Sequence, residues 1–343
     1  MPHLPSLPAL PGRSSGVGSW PGEGIADATR LVLGELPEPA VPFQPELPAR
    51  GPGADLIGRG ATFLVDLPVD LQPSGWRLVD HPGRDLNRAM GWYRQDLDVL
   101  AEVAEGYAGP LKVAACGPWT LAASVILPRL ERAVVDRGTC RDLVASLAEG
   151  LGRHVHELRR LLPGAQIVVQ LDEPSLPAVL RGGVPTASGW GRLRAVEEPV
   201  VVEGLRAVLD AVVAAGAAAT VVHCCAADAP VEALVRTGAA GLSVDVSLLG
   251  QPGWEALAPA IENGLALWAG VLPTAGALPT PAAAADAVWT RWRKLGLETG
   301  LLGQVAVTPT CGLAGSTPAA ARATLARGRE TAAELAERAA SHD

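Results

Sequence analysis

The residues best suited to chemistry in this chain of 343 residues are a histidine and two cysteines at the ends of apolar runs. His223 and Cys225 stand two apart at the end of ATVVHCC (219–225). Alternation along a strand would point both to one side and Cys224 to the other. One strand can therefore offer two metal ligands. Zinc accepts imidazole nitrogen and thiolate sulfur, and its catalytic sites keep a position for substrate or water beside three protein ligands. Cys311, in VTPTCGLAG, is the third candidate ligand, and Asp245, in GLSVDVS, is the fourth. Free cysteine is also among the most buried residue types, so an ordinary core explains the same residues one by one. Their shared position at strand ends is what argues for a site.

Other polar residues are weighed the same way. Asp172 and Glu173 are adjacent in QLDEP (170–174), so on a strand they face opposite ways and cannot act as a couple across one substrate. Asp172 is expected to face the pocket and Glu173 to cap or pair locally, with Asp172 the catalytic candidate and both kept as substrate-binding candidates. His154 and His156 are two apart on an Arg-rich helix, off a common face, which suggests a solvated surface. The stretch 64–80 carries Asp66, Asp70 and Asp80 among Pro and Gly and suits either a loop over the site or a structural excursion.

These residues need elements to hold them. Eight short apolar runs recur: 16–20, 62–68, 111–118, 166–174, 219–225, 241–247, 265–273 and 304–312. Helical stretches follow most of them, around 87–106, 119–135, 138–161, 198–215, 229–237, 253–262, 281–295 and 317–339. Such alternation implies parallel strands covered on both faces, and eight units imply an α/β fold of one (β/α)8 TIM barrel. Ser19, Asp66, Asp172, Glu173, His223, Cys225, Asp245 and Cys311 all fall toward C-terminal strand ends, the end of this fold that carries chemistry. Residues 1–15 are expected to form a flexible Pro-rich tail and 16–343 the barrel; a second Pro-rich stretch, 38–53, cannot be regular helix.

Composition narrows the class. A hydrophobic fraction of 48% excludes a disordered chain. The net charge of −8, with Lys112 and Lys294 the two lysines and no basic run, speaks against a nucleic-acid partner. No stretch reaches the roughly 18 apolar residues of a membrane span, and no secretory signal pattern opens the chain. Five irregularly spaced cysteines do not suit a disulfide framework, so a reducing cytoplasm is expected.

Taken together, GVGSWP (16–21), GPWTL (117–121), QLDEP (170–174), VHCC (222–225), the strand ending at Asp245 and PTCGL (309–313) resemble, in the same order, the C-terminal catalytic barrel of cobalamin-independent methionine synthase. The resemblance covers residues 14–340. It implies Zn2+-dependent transfer of a methyl group to the thiol of homocysteine, giving methionine, with a methyl folate or a methylated corrinoid protein as donor. It implies His223, Cys225 and Cys311 as zinc ligands, and Asp172 and Ser19 as the groups holding the amino and carboxylate ends of homocysteine. Three departures stand out. The family's acidic ligand is Glu where this chain offers Asp245; the seventh-strand segment LWAGVLPT (267–274) lacks the family's proton-transferring His; and LAAS (121–124) stands where a folate-stacking Trp is usual. The length matches the catalytic half of the full enzyme.

Two other readings compete. A lyase similar to uroporphyrinogen decarboxylase would need an Arg cluster near the first strand, where Arg13 and Arg30 flank GVGSW. A non-catalytic barrel that only retains zinc would fit the departures.

Overall fold

Apolar runs of six to eight residues become strands where helices cover one face and a barrel interior the other. The computed structural model describes residues 11–341. Its strands are β1 (Arg13–Ser14), β2 (Val69–Gln72), β3 (Gly75–Leu78), β4 (Gly109–Cys116), β5 (Ala165–Asp172), β6 (Ala219–Cys224), β7 (Gly241–Asp245), β8 (Ala266–Leu272) and β9 (Val305–Pro309). Seven of these form one parallel sheet in the order β1-β9-β8-β7-β6-β5-β4. The α-helices, in chain order, are α1 (Ile25–Glu35), α2 (Leu56–Ala61), α3 (Arg84–Val103), α4 (Pro118–Ser124), α5 (Arg137–Leu161), α6 (Leu176–Arg181), α7 (Glu198–Ala214), α8 (Val231–Arg236), α9 (Gln251–Glu262), α10 (Pro281–Leu295) and α11 (Pro318–Ala340). Local signals start several of them: the side chains of Asp55, Thr280 and Thr317 accept backbone N–H groups in the first turns of α2, α10 and α11.

The sheet curls into a TIM-type barrel, and an irregular segment closes it. Residues 41–46, inside the second Pro-rich stretch, run between β1 and β4. Val41 N–H donates to Ser14 O, Gln44 N–H to Lys112 O and Lys112 N–H to Pro42 O. Further up, Glu46 N–H donates to Gly18 O and Trp20 N–H to Glu46 O. Pro42 and Pro45 fall where no donor is used, which is how a proline-bearing segment can still bridge two strands.

This seam corrects two expectations. The second strand is not 62–68; those residues follow α2 as a turn that leads into the β2–β3 hairpin, which is antiparallel and outside the barrel sheet. The first stave is regular at Arg13–Ser14, inside the stretch expected as a tail, and continues irregularly to Ser19, which bridges to Glu46. Residues 1–10 of the tail expected at 1–15 lie outside the described residues. The other six strands match their runs to within a few residues at either end.

Between strands and helices the main core buries Trp119, Trp254 and Trp292 almost completely. A smaller cluster inside the barrel includes Val41, Val168, Val221 and Trp268 and fills its lower part. His154 is also in the interior: on α5 it lies against the Phe63 ring, and its Nδ1 meets Tyr93 Oη at 2.8 Å. The expectation of a solvated His154 was wrong because α5 is covered along that face by the 61–65 turn and α3; His156 is exposed as expected.

Candidate metal and substrate site

Strand register assembles the site. In parallel strands, paired residues point the same way, and His223 pairs with Asp172 on β5 and with Ser243 on β7. Ser243 Oγ holds His223 Nδ1 at 2.9 Å. The other ring nitrogen, Nε2, is buried without a hydrogen-bond partner and is left as a donor for a ligand. Cys225 follows β6 directly and Cys311 follows β9, and their sulfurs are 3.3 Å apart. His223, Cys225 and Cys311 bring one ligand atom each to within 4.8 Å of one another, the one such group of three among the described residues. One imidazole and two thiols at that spacing, with an orphaned buried nitrogen, fit a zinc-type ion. The Cys225 hydrogen bond and the neighbouring His223 draw Cys311 down to about 4, while the same bond and burial push Cys225 up.

Asp245 stands outside this group. At the end of β7 its Oδ1 accepts from Ser247 N at 2.9 Å and Ser247 Oγ at 2.6 Å, closing a local turn. The side chain is one methylene shorter than Glu, and the turn claims it.

A cavity of about 220 Å3 opens beside the cluster, lined by Ser19, Glu46, Asp172, His223, Cys225 and Cys311, with Val17, Pro48, Ala54 and Leu56 among its apolar walls. That is below the roughly 300–1,000 Å3 of clefts for drug-sized ligands and suits a small metabolite. Asp172 faces this cavity. Burial pushes its carboxyl up to about 6, against the pull of His223 and Lys112. Ser19 reaches the mouth because Gly312 has no side chain; a Cβ there would lie 2.0 Å from Ser19 Oγ.

Glu173 does not line the cavity. It points the other way, as adjacent strand residues must, and accepts Trp119 N–H at 2.8 Å, Thr120 N–H at 2.8 Å and Thr120 O–H at 2.7 Å at the start of α4. Burial pushes its carboxyl up to about 7, with those donors opposing. The local cap expected for Glu173 is therefore its place, and the expectation that it also binds substrate is corrected, since it points away from the cavity. The 64–80 stretch contributes nothing to the cavity wall either; the residues over the mouth come from 47–56. Of the arginines considered for a lyase, Arg13 is buried low on β1 and Arg30 is exposed beside Asp27 on α1, and neither lines the cavity.

Three residues of this end of the barrel were not singled out from sequence. Glu46 lines the cavity and is held by Arg59 Nε at 2.8 Å. Lys112 is fully buried below it, donating to Val17 O at 2.6 Å and Gln170 Oε1 at 2.5 Å. Gln170 Nε2 passes the contact on to Asp172 Oδ1 at 2.7 Å. The available signal was one of two lysines set in an apolar strand run, LKVAACGP. Glu46 carried no such mark, because its segment looked like a linker.

The chain is similar to known proteins in sequence pattern and in fold. The family model described as "Cobalamin-independent synthase, Catalytic domain" matches residues 13–334. No curated protein matches the chain. Among solved structures, a B12-independent methionine synthase from a Shewanella species, in complex with selenomethionine, superposes with a TM-score of 0.60 at 13% identity, covering 99% of this chain and 100% of that one. A candidate vitamin-B12-independent methionine synthase from Listeria monocytogenes gives a TM-score of 0.50 at 14% identity, covering 81% of this chain and 77% of that one.

Proposed function

From the membership of this chain in the cobalamin-independent methionine synthase catalytic-domain family, a family of methyltransferases, we propose that it transfers a methyl group to the thiol of homocysteine to give methionine, with zinc held by His223, Cys225 and Cys311. The observation that carries this reading is the cluster of one imidazole and two thiols opening onto a small cavity that Asp172 and Ser19 also line. Zinc held by His223, Cys225 and Cys311 would supply a Lewis acid that favours the thiolate form of a substrate sulfur near neutral pH.

The protein's own residues do the rest. Ser243 fixes the His223 ring so that Nε2 faces the cluster. Asp172 holds the substrate ammonium by a charge-assisted hydrogen bond, and binding a cation keeps that carboxylate ionised against its burial. Ser19 receives the substrate carboxylate at the mouth, and the apolar walls at Val17, Pro48 and Leu56 restrict water around the thiol. Both cluster cysteines must stay reduced, so the reaction is assigned to the cytoplasm.

The methyl donor is a methyl folate or a methylated corrinoid protein. Methionine formation from homocysteine, measured side by side with methyltetrahydrofolate and with methylcobalamin, tests the reading and chooses between donors. Turnover is expected with one of them in zinc-loaded protein, and Cys311→Ser should abolish turnover and metal together while the fold is retained. Zinc-loaded protein with no turnover on either donor would overturn the methyl-transfer reading.

A further inference from the structure

Lys112 is a cation with no exposed surface, and neither of the two oxygens it donates to belongs to a carboxylate. Its ammonium rests on two neutral oxygens, Val17 O and Gln170 Oε1, and lies 5.7 Å from the centroid of the Phe43 ring and 5.8 Å from that of Trp268. An ammonium is costly to bury, and burial draws Lys112 down to about 8 even against the opposing pull of neighbouring carboxylates. Asp172 and Glu46, the two carboxylates of the cavity wall, are the charges that offset it.

The hydrogen bonds form a strut with a fixed sense. Lysine only donates, so Gln170 must turn Oε1 toward Nζ. Its amide N–H groups are then aimed the other way, at Val17 O (3.0 Å) and Asp172 Oδ1 (2.7 Å). The reversed amide would set donor against donor at Lys112 and acceptor against acceptor at Asp172. Val17 O receives both Lys112 and Gln170, and it lies two residues before Ser19. One buried amine thus ties the irregular first stave, which carries Ser19, to β5, which carries Asp172.

We infer that Lys112 is a positioning residue for the amino-acid end of the substrate: acting through Gln170 and Val17 O, it fixes Asp172 and Ser19 relative to each other and makes the cavity select thiols that carry an α-ammonium group. This rests on the proposed function and deepens it by assigning substrate selectivity to residues that touch neither substrate nor metal.

The test is calorimetric binding to zinc-loaded protein of two thiols, homocysteine and 4-mercaptobutyrate, which lacks the ammonium. Wild type should prefer homocysteine. Lys112→Met should weaken homocysteine about 10- to 100-fold, the loss of one or two charge-assisted hydrogen bonds, weaken 4-mercaptobutyrate, which keeps the carboxylate but not the ammonium, by far less, and leave zinc content unchanged, so that the preference collapses. Generalised damage to the barrel would weaken both thiols alike, and that result overturns the proposal. Gln170→Leu removes the strut without removing a charge and carries the same expectation should Lys112→Met fold poorly. In an Asp172→Asn background, Lys112→Met should change homocysteine affinity much less than it does in wild type, since coupled residues do not add. Unchanged preference in both Lys112→Met and Gln170→Leu overturns the inference alone; wild-type protein that binds neither thiol overturns the proposed function with it.

Discussion

At the scale of single residues, the site divides into side chains that would bind and side chains that aim them. His223 shows the division: Nδ1 is committed to Ser243, so the ring has one nitrogen to give. Ser243→Ala should therefore lower zinc affinity about 10- to 100-fold, the usual effect of removing a ligand's hydrogen-bond partner, measured by competition with a chelator. Asp245→Asn should leave zinc stoichiometry unchanged, since its carboxylate serves the turn at Ser247; loss of metal in that variant would return Asp245 to the ligand set. His223, Cys225, Cys311, Asp172 and Ser19 were legible in the sequence because each ends an apolar run, and strand alternation says which neighbours share a face. The same alternation separated Asp172 from Glu173. Glu46 and the Lys112–Gln170 contact were not legible, because they depend on which distant staves become neighbours.

The elements carry a second lesson. Six strands were readable from composition alone, since β4 to β9 are apolar runs buried on both faces. The seam was not, because residues 41–46 hold their place with hydrogen bonds shared between two neighbours and with prolines where no donor is needed. An apolar run at 62–68 looked more like a strand than the segment that takes the part. Helix α5 was readable in extent and misread in facing: His154 is buried, and burial with the charge of Arg59 pulls it down from 6.5 to about 3. A depressed histidine favours the folded state in its neutral form, so its contribution is full above pH 6.5 and is lost as pH falls toward 3. His154→Gln, which keeps an acceptor for Tyr93 and does not titrate, should flatten that acid limb in urea unfolding measured from pH 7 to pH 4. An unchanged slope would mean that His154 takes up no proton on unfolding.

Over the whole molecule, the barrel gathers residues from positions 17 to 312 into one cavity at the C-terminal ends of its strands. The family match spans nearly the same range, residues 13–334. No helix among the described residues is long and apolar enough to cross a membrane. Charge is distributed unusually, with Arg supplying nearly all the cations and Lys112 and Lys294 as the two lysines. Lys294 is exposed at the end of α10, whereas Lys112 is sealed beneath the cavity. The protein thus contains its own chemical reporter. An amine-directed acylating reagent should modify the Lys294 side chain rapidly in the native state and reach Lys112 only when the barrel opens. Mass spectrometry of timed samples would then read the opening rate of the barrel from one peptide, and fast acylation of Lys112 in native protein would show that the amine is not sealed.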